Sequence, residues 1–173
     1  MLIMEDSMNR GHTAVKMLVA TILSLALSLT WPQPSFAASG YLLSKGQTIY
    51  VPVYSNIFSA PRKIPFNLAT LLSVRNTDMS GSITIISADY YDTKGKLVRR
   101  YYQQPVTLAP LESTSIYIPE DDTVGGSGAN FIVKWTSSRE VNAPIVESVM
   151  IGMKSGQGIS FVSPGQEIRS SAR

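Results

Sequence analysis

The stretch Pro119 to Asn130, PEDDTVGGSGAN, sets three consecutive acids (Glu120, Asp121, Asp122) beside three glycines (Gly125, Gly126, Gly128) and runs straight into a strand-like segment. Two chemistries suit that composition. Backbone N–H groups in a Gly-rich turn can form a concavity for an anion, and the carboxylates, with Asn130 and main-chain carbonyls, could supply several of the six or more oxygens that calcium takes. Neither pattern is complete. No Lys-Ser/Thr and no helix follow, so the phosphate-loop reading fails, and the EF-hand order of acids is absent. A solvated loop closed by glycines at positive φ fits better than either, and after it a loop that touches a partner. As a contact loop its candidate residues are Asp121, Asp122, Gly125, Gly126, Ser127, Gly128 and Asn130. No resident metal or cofactor is expected.

Two further groupings could carry chemistry. In Ile145 to Ile151 the faces of a strand split as Ile145/Glu147/Val149/Ile151 against Val146/Ser148/Met150. A carboxylate on the more apolar face must pair or mark a site, and Arg75 is the expected partner, which predicts a buried Arg75–Glu147 pair. The tyrosines come in doublets, Tyr90-Tyr91 and Tyr101-Tyr102, on either side of the Lys94-Gly95 turn, with Arg99 and Arg100 between them. Antiparallel strands joined by that turn could set the doublets across from one another. The resulting cation–aromatic patch could stack a sugar or small ligand. The alternative is that one tyrosine of each doublet packs inward and its neighbour points out.

What the sequence lacks is as telling. There is no cysteine, and His12 is the one histidine, upstream of an apolar run that reads as a leader. Beyond that leader the chain has neither of the side chains most used for acid–base, nucleophilic and zinc chemistry near neutral pH. Two carboxylates suffice for glycoside hydrolysis, but nothing pairs them here, and no Gly-x-Ser-x-Gly elbow or Ser-x-x-Lys set is present. No catalytic residue is assigned, and the expectation is a protein that is not an enzyme.

The leader is read from three adjacent features. Arg10 and Lys16 precede Met17 to Thr30 (MLVATILSLALSLT), which is shorter than the ~20 apolar residues of a membrane span. Pro32 and Pro34 then break the helix, and Ser35-Phe36-Ala37 offers small residues for cleavage after Ala37. Glu5 and Asp6 fit a leader poorly unless translation starts at Met4 or Met8. The expectation is a secretory signal over 1–37 and a periplasmic or secreted product with no transmembrane or lipid anchor after cleavage. The leader holds two bases and two acids, so removing it leaves the net charge of +3 unchanged. That small excess argues against nucleic acid as a partner. Charged residues are 16% of the chain, against a usual ~25%, and all eight tyrosines lie beyond residue 37.

The elements that must position these groups read as short strands between turn signals. Gln47 to Tyr54 alternates, with Pro52 suggesting an edge strand. Ser55 to Pro65 reads as loop. Asn67 to Asn76 turns Leu68, Thr70, Leu72 and Val74 to one side. Ser82 to Asp92 and Leu97 to Gln104 form a hairpin through Lys94-Gly95. Val106 to Leu108, Ser113 to Ile118, Asn130 to Ser137, Ala143 to Gly152 and Ile159 to Ser163 follow. About eight strands and no helix after the leader predict an all-β fold, a single immunoglobulin-like β-sandwich. Its expected divisions are an N-terminal extension at 38–46, the sandwich at 47–164 and a flexible tail at 165–173.

Four runs of this chain, Val74-Arg-Asn-Thr-Asp78, Tyr90-Tyr-Asp-Thr-Lys-Gly95, Gly125-Gly-Ser-Gly-Ala-Asn-Phe131 and Glu147-Ser-Val-Met150, resemble the bacterial family called Domain of Unknown Function 3124. The resemblance spans roughly Gln47 to Gly165. It implies an envelope location and a single domain, and it brings no activity. Many members look like lipoproteins, whereas this chain lacks the lipid-bearing cysteine. The reading that follows is an exported, non-catalytic interaction module whose partner is an envelope protein or a surface glycan. The alternative is a small-ligand or carbohydrate-binding domain, and further off a carboxylate-dependent hydrolase.

Overall fold

The computed structural model describes residues 43–59, 63–154 and 156–169. The expected signal over 1–37, and residues 38–42 of the expected extension, lie outside them. Every described residue belongs to one compact unit, 40–173.

Twelve strands make up the described residues, with no helix among them: β1 (Leu43–Val53), β2 (Asn56–Ser59), β3 (Ile64–Asn67), β4 (Ala69–Arg75), β5 (Ile83–Tyr91), β6 (Leu97–Arg100), β7 (Val106–Leu108), β8 (Ser113–Ile118), β9 (Ala129–Asn142), β10 (Ile145–Lys154), β11 (Gln157–Pro164) and β12 (Gln166–Ile168). They form a six-stranded sheet in the order β12-β1-β9-β5-β6 with β7 also on β5, a four-stranded sheet in the order β11-β10-β4-β8, and the hairpin β2–β3. Every pairing is antiparallel.

Alternation builds the core. In β9, Ala129, Phe131, Val133 and Trp135 are buried while Lys134 and Thr136 point out, the period of two expected of a strand with one wet face. The same rule buries Leu68, Thr70, Leu72 and Val74 along the β3–β4 segment, and Ile116 and Ile118 in β8. A single apolar cluster draws Ile49, Val51 and Val53 from β1, Ile83 and Ile85 from β5 and Phe131 from β9 together with Leu72, Ile116 and Val146 of the four-stranded sheet. Burying one such side chain is worth about 1.5–3 kcal/mol. Without a disulfide, these contacts must hold the domain together.

Several expectations are corrected. Ser55 to Pro65 is not loop throughout, since it contains β2 and the start of β3. Residues 165–173 are not all tail, because β12 pairs with Thr48–Tyr50 of β1. The extension is already strand from Leu43. For the same reason β1 is an edge only in part: it lies between β9 and β12 at Thr48–Tyr50, and its β12 side is free at Pro52. There the Pro52 carbonyl accepts a hydrogen bond from the Ser148 hydroxyl of β10, so the residue that cannot donate to a ladder sits just past its end.

Candidate functional site

The acidic, Gly-rich loop between β8 and β9 is packed down, not open. Thr93, in the β5–β6 turn, donates from both its backbone N–H and its Oγ1 to the Gly125 carbonyl, each at 2.9 Å. It accepts from the Gly128 N–H at 3.0 Å, and the Ser55 N–H donates to the Gly126 carbonyl at 3.0 Å. A Cβ on Gly125 would collide with the Tyr90 hydroxyl and stand 2.7 Å from the Ala129 Cβ. Gly126 holds φ at +75°, a conformation that favours glycine. These glycines are required by packing and turn geometry. Asp122 lies 3.3 Å from the Arg99 guanidinium, and Asn130 is a half-buried member of β9, which leaves Asp121 and Ser127 as the exposed side chains among the candidate contact residues, beside Glu120, Thr123 and Val124 of the same loop. Among the described residues no three acidic or histidine side chains converge as a metal site.

The tyrosine doublets do not face each other. Tyr90 is opposite Arg99 and Tyr91 is opposite Leu97. Tyr90 is fully buried, its ring 5.1 Å from that of Phe131 and its hydroxyl 2.9 Å from Ser55 Oγ. Burial raises its pKa. Tyr101 also packs against Phe131, ring centroids 5.5 Å apart, with the Arg99 guanidinium 5.4 Å from the Tyr101 ring centroid. The Tyr102 hydroxyl lies 3.4 Å from Thr114 Oγ1. Tyr90, Tyr101 and Tyr102 therefore serve the core and its rim, with Tyr90 removed from any ligand.

Arg75 and Glu147 do come together, Nε to Oε1 at 3.9 Å, but their side chains are 56% and 27% exposed. The pair lies on the surface, and the expectation of a buried one is corrected. The error is in the facing of β10. Val146, Ser148, Met150 and Gly152 point inward, while Ile145, Glu147, Val149 and Ile151 point out. The inward side takes small and polar residues for local reasons: Ser148 reaches Pro52, and Phe66 of β3 comes so near Gly152 that a Cβ there would stand 2.5 Å from its ring.

The consequence is an apolar outer surface on the four-stranded sheet. Val162 is opposite Val149, Val149 is opposite Leu71, and Leu71 is opposite Tyr117, one in-register row across β11, β10, β4 and β8. Tyr117 is 63% exposed and Val162 54%. Ile151, opposite Ala69, and Ile145, opposite Arg75, extend the row along the strands, and both are exposed. The outer face of the six-stranded sheet differs: its in-register residues include Thr48, Thr84, Lys134 and Thr136.

A second apolar feature lies at the end of β11. A pocket of about 470 Å³ is lined by Ile57, Phe58 and Phe66 of the β2–β3 hairpin and by Gln157, Gly158 and Ile159. Phe58 is exposed.

The turn at Asp78 to Gly81 after β4 is legible in the sequence, but the knot of hydrogen bonds that Asn76 and Asp78 build there is not. The Asn76 amide donates to the carbonyls of Gly81 and Ala109, each at 2.8 Å, and its Oδ1 accepts from the Asp78 N–H. Asp78 Oδ1 accepts from the N–H groups of Ser80 and Gly81 at 2.9 and 2.7 Å, and Oδ2 from that of Asn142 at 3.0 Å. These backbone donors, Asn142 foremost, hold the Asp78 pKa down at about 2. The Arg139 guanidinium lies 3.7 Å away. The two side chains tie the ends of β4, β7 and β9 into one knot. The usable signal was Asn-Thr-Asp at a strand end, since Asn and Asp there bond to backbone within a few residues.

No curated protein matches this chain. Among solved structures it is similar to that titled "Crystal Structure of Thermotoga maritima 1070", at 12% identity and a TM-score of 0.42, covering 69% of this chain and 92% of that one. A likeness at that score carries no argument. The family described as "Protein of unknown function (DUF3124)" matches residues 46–168, well over half of the chain, and the chain belongs to that family.

Proposed function

We propose that this protein is a non-catalytic interaction module, an immunoglobulin-like β-sandwich exported by cleavage after Ala37, and that it binds through the outer face of its four-stranded sheet. The observation that supports this most is the row Val162–Val149–Leu71–Tyr117. Contiguous exposed apolar surface costs solubility, and where it persists on a soluble domain it generally marks a contact site. The rigid sheet holds these side chains in place, so little ordering would be lost on binding. The chemistry of the face suits another protein surface better than a hydroxyl-rich glycan. The exposed side chains of the 121–127 loop take no necessary part.

The test is affinity capture from crosslinked envelopes with residues 38–173 as bait, beside the triple variant Leu71→Thr, Tyr117→Thr, Ile151→Thr, which keeps β-forming residues. Loss of captured protein, a second copy of the chain included, supports the reading. Equal capture by both baits contradicts it.

The pocket of Ile57, Phe58, Phe66 and Ile159 favours a second reading, a small apolar ligand held at the sheet edge. It replaces the tyrosine doublets as the ligand site of that alternative.

A further inference from the structure

The reading of the outer face as a contact surface leaves its occupant open, and the inference here rests on that reading. The geometry points to a second copy of this chain, packed face to face about a two-fold axis. The face is complementary to itself in charge. Among its outward residues in paired register, Arg75 and Glu147 are the charged ones, of opposite sign, on adjacent strands. Glu147 is opposite Ser73, two residues along β4 from Arg75.

A two-fold axis lying in the interface and running along the strands between β4 and β10 lays each β4 over the β10 of the other copy. Arg75 of each copy then faces the strand that carries Glu147 of the other. Two identical ion pairs then lie side by side across the axis, at the Arg75 end of an apolar stretch made of Leu71, Val149 and Tyr117. Such an isologous contact closes on itself and leaves no surface for further growth. Sheets packed in this way keep their strands within about 30° of each other.

The extent of the face suits a small self-contact. Four strands at about 4.8 Å spacing over the stretch Ile145 to Ile151, at about 3.4 Å per residue, give on the order of 450 Å² in projection. As corrugated accessible surface that lies toward the low end of specific interfaces, about 600 Å² per partner. A partner of different sequence would need no matched pair of opposite charges at these two positions. A second copy supplies that pair without any further feature.

The experiment is sedimentation of residues 38–173 from low to high micromolar concentration, with R75E, E147R and an equimolar mixture of the two. The wild type is expected to dimerise, and each variant alone to associate roughly tenfold or more weakly, because like charges then face each other across the contact. The mixture is expected to regain wild-type dimer. Within each variant the internal pair is also like-charged, so rescue on mixing can come only from contacts between molecules. Thermal unfolding of each variant checks that it is folded. A wild type that stays monomeric overturns the proposal, as do variants that dimerise like the wild type, which would place the contact at an edge such as β11. If the wild type is monomeric while the triple face variant still loses envelope capture, self-association fails and the contact face stands. If capture is also unchanged, both fail.

Discussion

The hydroxyl of Tyr90 fills the space that a side chain on Gly125 would need, and the same hydroxyl is hydrogen-bonded to Ser55. One buried tyrosine thus fixes the approach of the Gly-rich loop to β5. Gly125→Ala is expected to destabilise the domain by about 1–3 kcal/mol, the usual range for overpacking. Tyr90→Phe removes the obstructing oxygen but also the Ser55 bond. In a double-mutant cycle the two changes should cost less together than the sum of each alone. Strict additivity would mean that the two groups do not meet.

Asp78 should govern part of the acid sensitivity. Its folded pKa, about 2, lies below the ordinary 3.8, so the stability it contributes is fully present above 3.8 and is lost as the pH falls toward 2. Asp78→Asn should lower the melting temperature at neutral pH and flatten its fall across that window. The fluorescence of Trp135, buried in β9, offers a readout of unfolding. A variant whose melting temperature falls as steeply as the wild type's between pH 4 and 2 would contradict the assignment.

Glu147→Gln should barely change the stability of the isolated monomer, by no more than about 1 kcal/mol, because exposed ion pairs contribute little. Unfolding should be measured at concentrations below self-association. A loss well beyond that range would mean that the pair is buried after all.

The pocket beside β11 makes a separate prediction. Binding of an apolar fluorescent dye there should be lost in Ile159→Arg, which sets a charge in the pocket wall, with little change in melting temperature. Unchanged dye binding would remove the pocket from consideration as a ligand site.

The all-β character was legible because alternation is strong in the segments that became β4, β5, β8 and β9, where one side of each strand is packed and the other wet. β10 was misread because its inward side is the less apolar one: Gly152 makes room for Phe66, and Ser148 bonds to Pro52, neither visible to a periodicity count. β12 has three exposed residues, so it leaves no burial pattern in the sequence, and β2 and β3 are too short to show one. The Gly-rich loop stands out in the sequence by its composition alone. Its reason is steric, and became visible only once Tyr90, far off in sequence, was placed beneath it. The outer row emerged only from register, since Val162, Leu71 and Tyr117 are remote along the chain.

The outer face is tested most directly by a photo-crosslinking amino acid at Tyr117, compared with one at Lys134 on the six-stranded sheet, in cells producing the full chain. The account predicts a discrete protein adduct from position 117, of twice the chain's mass if the occupant is a second copy, and none from position 134. No adduct at 117, or the same adducts from both positions, would contradict the claim that this face is where the protein makes its contacts.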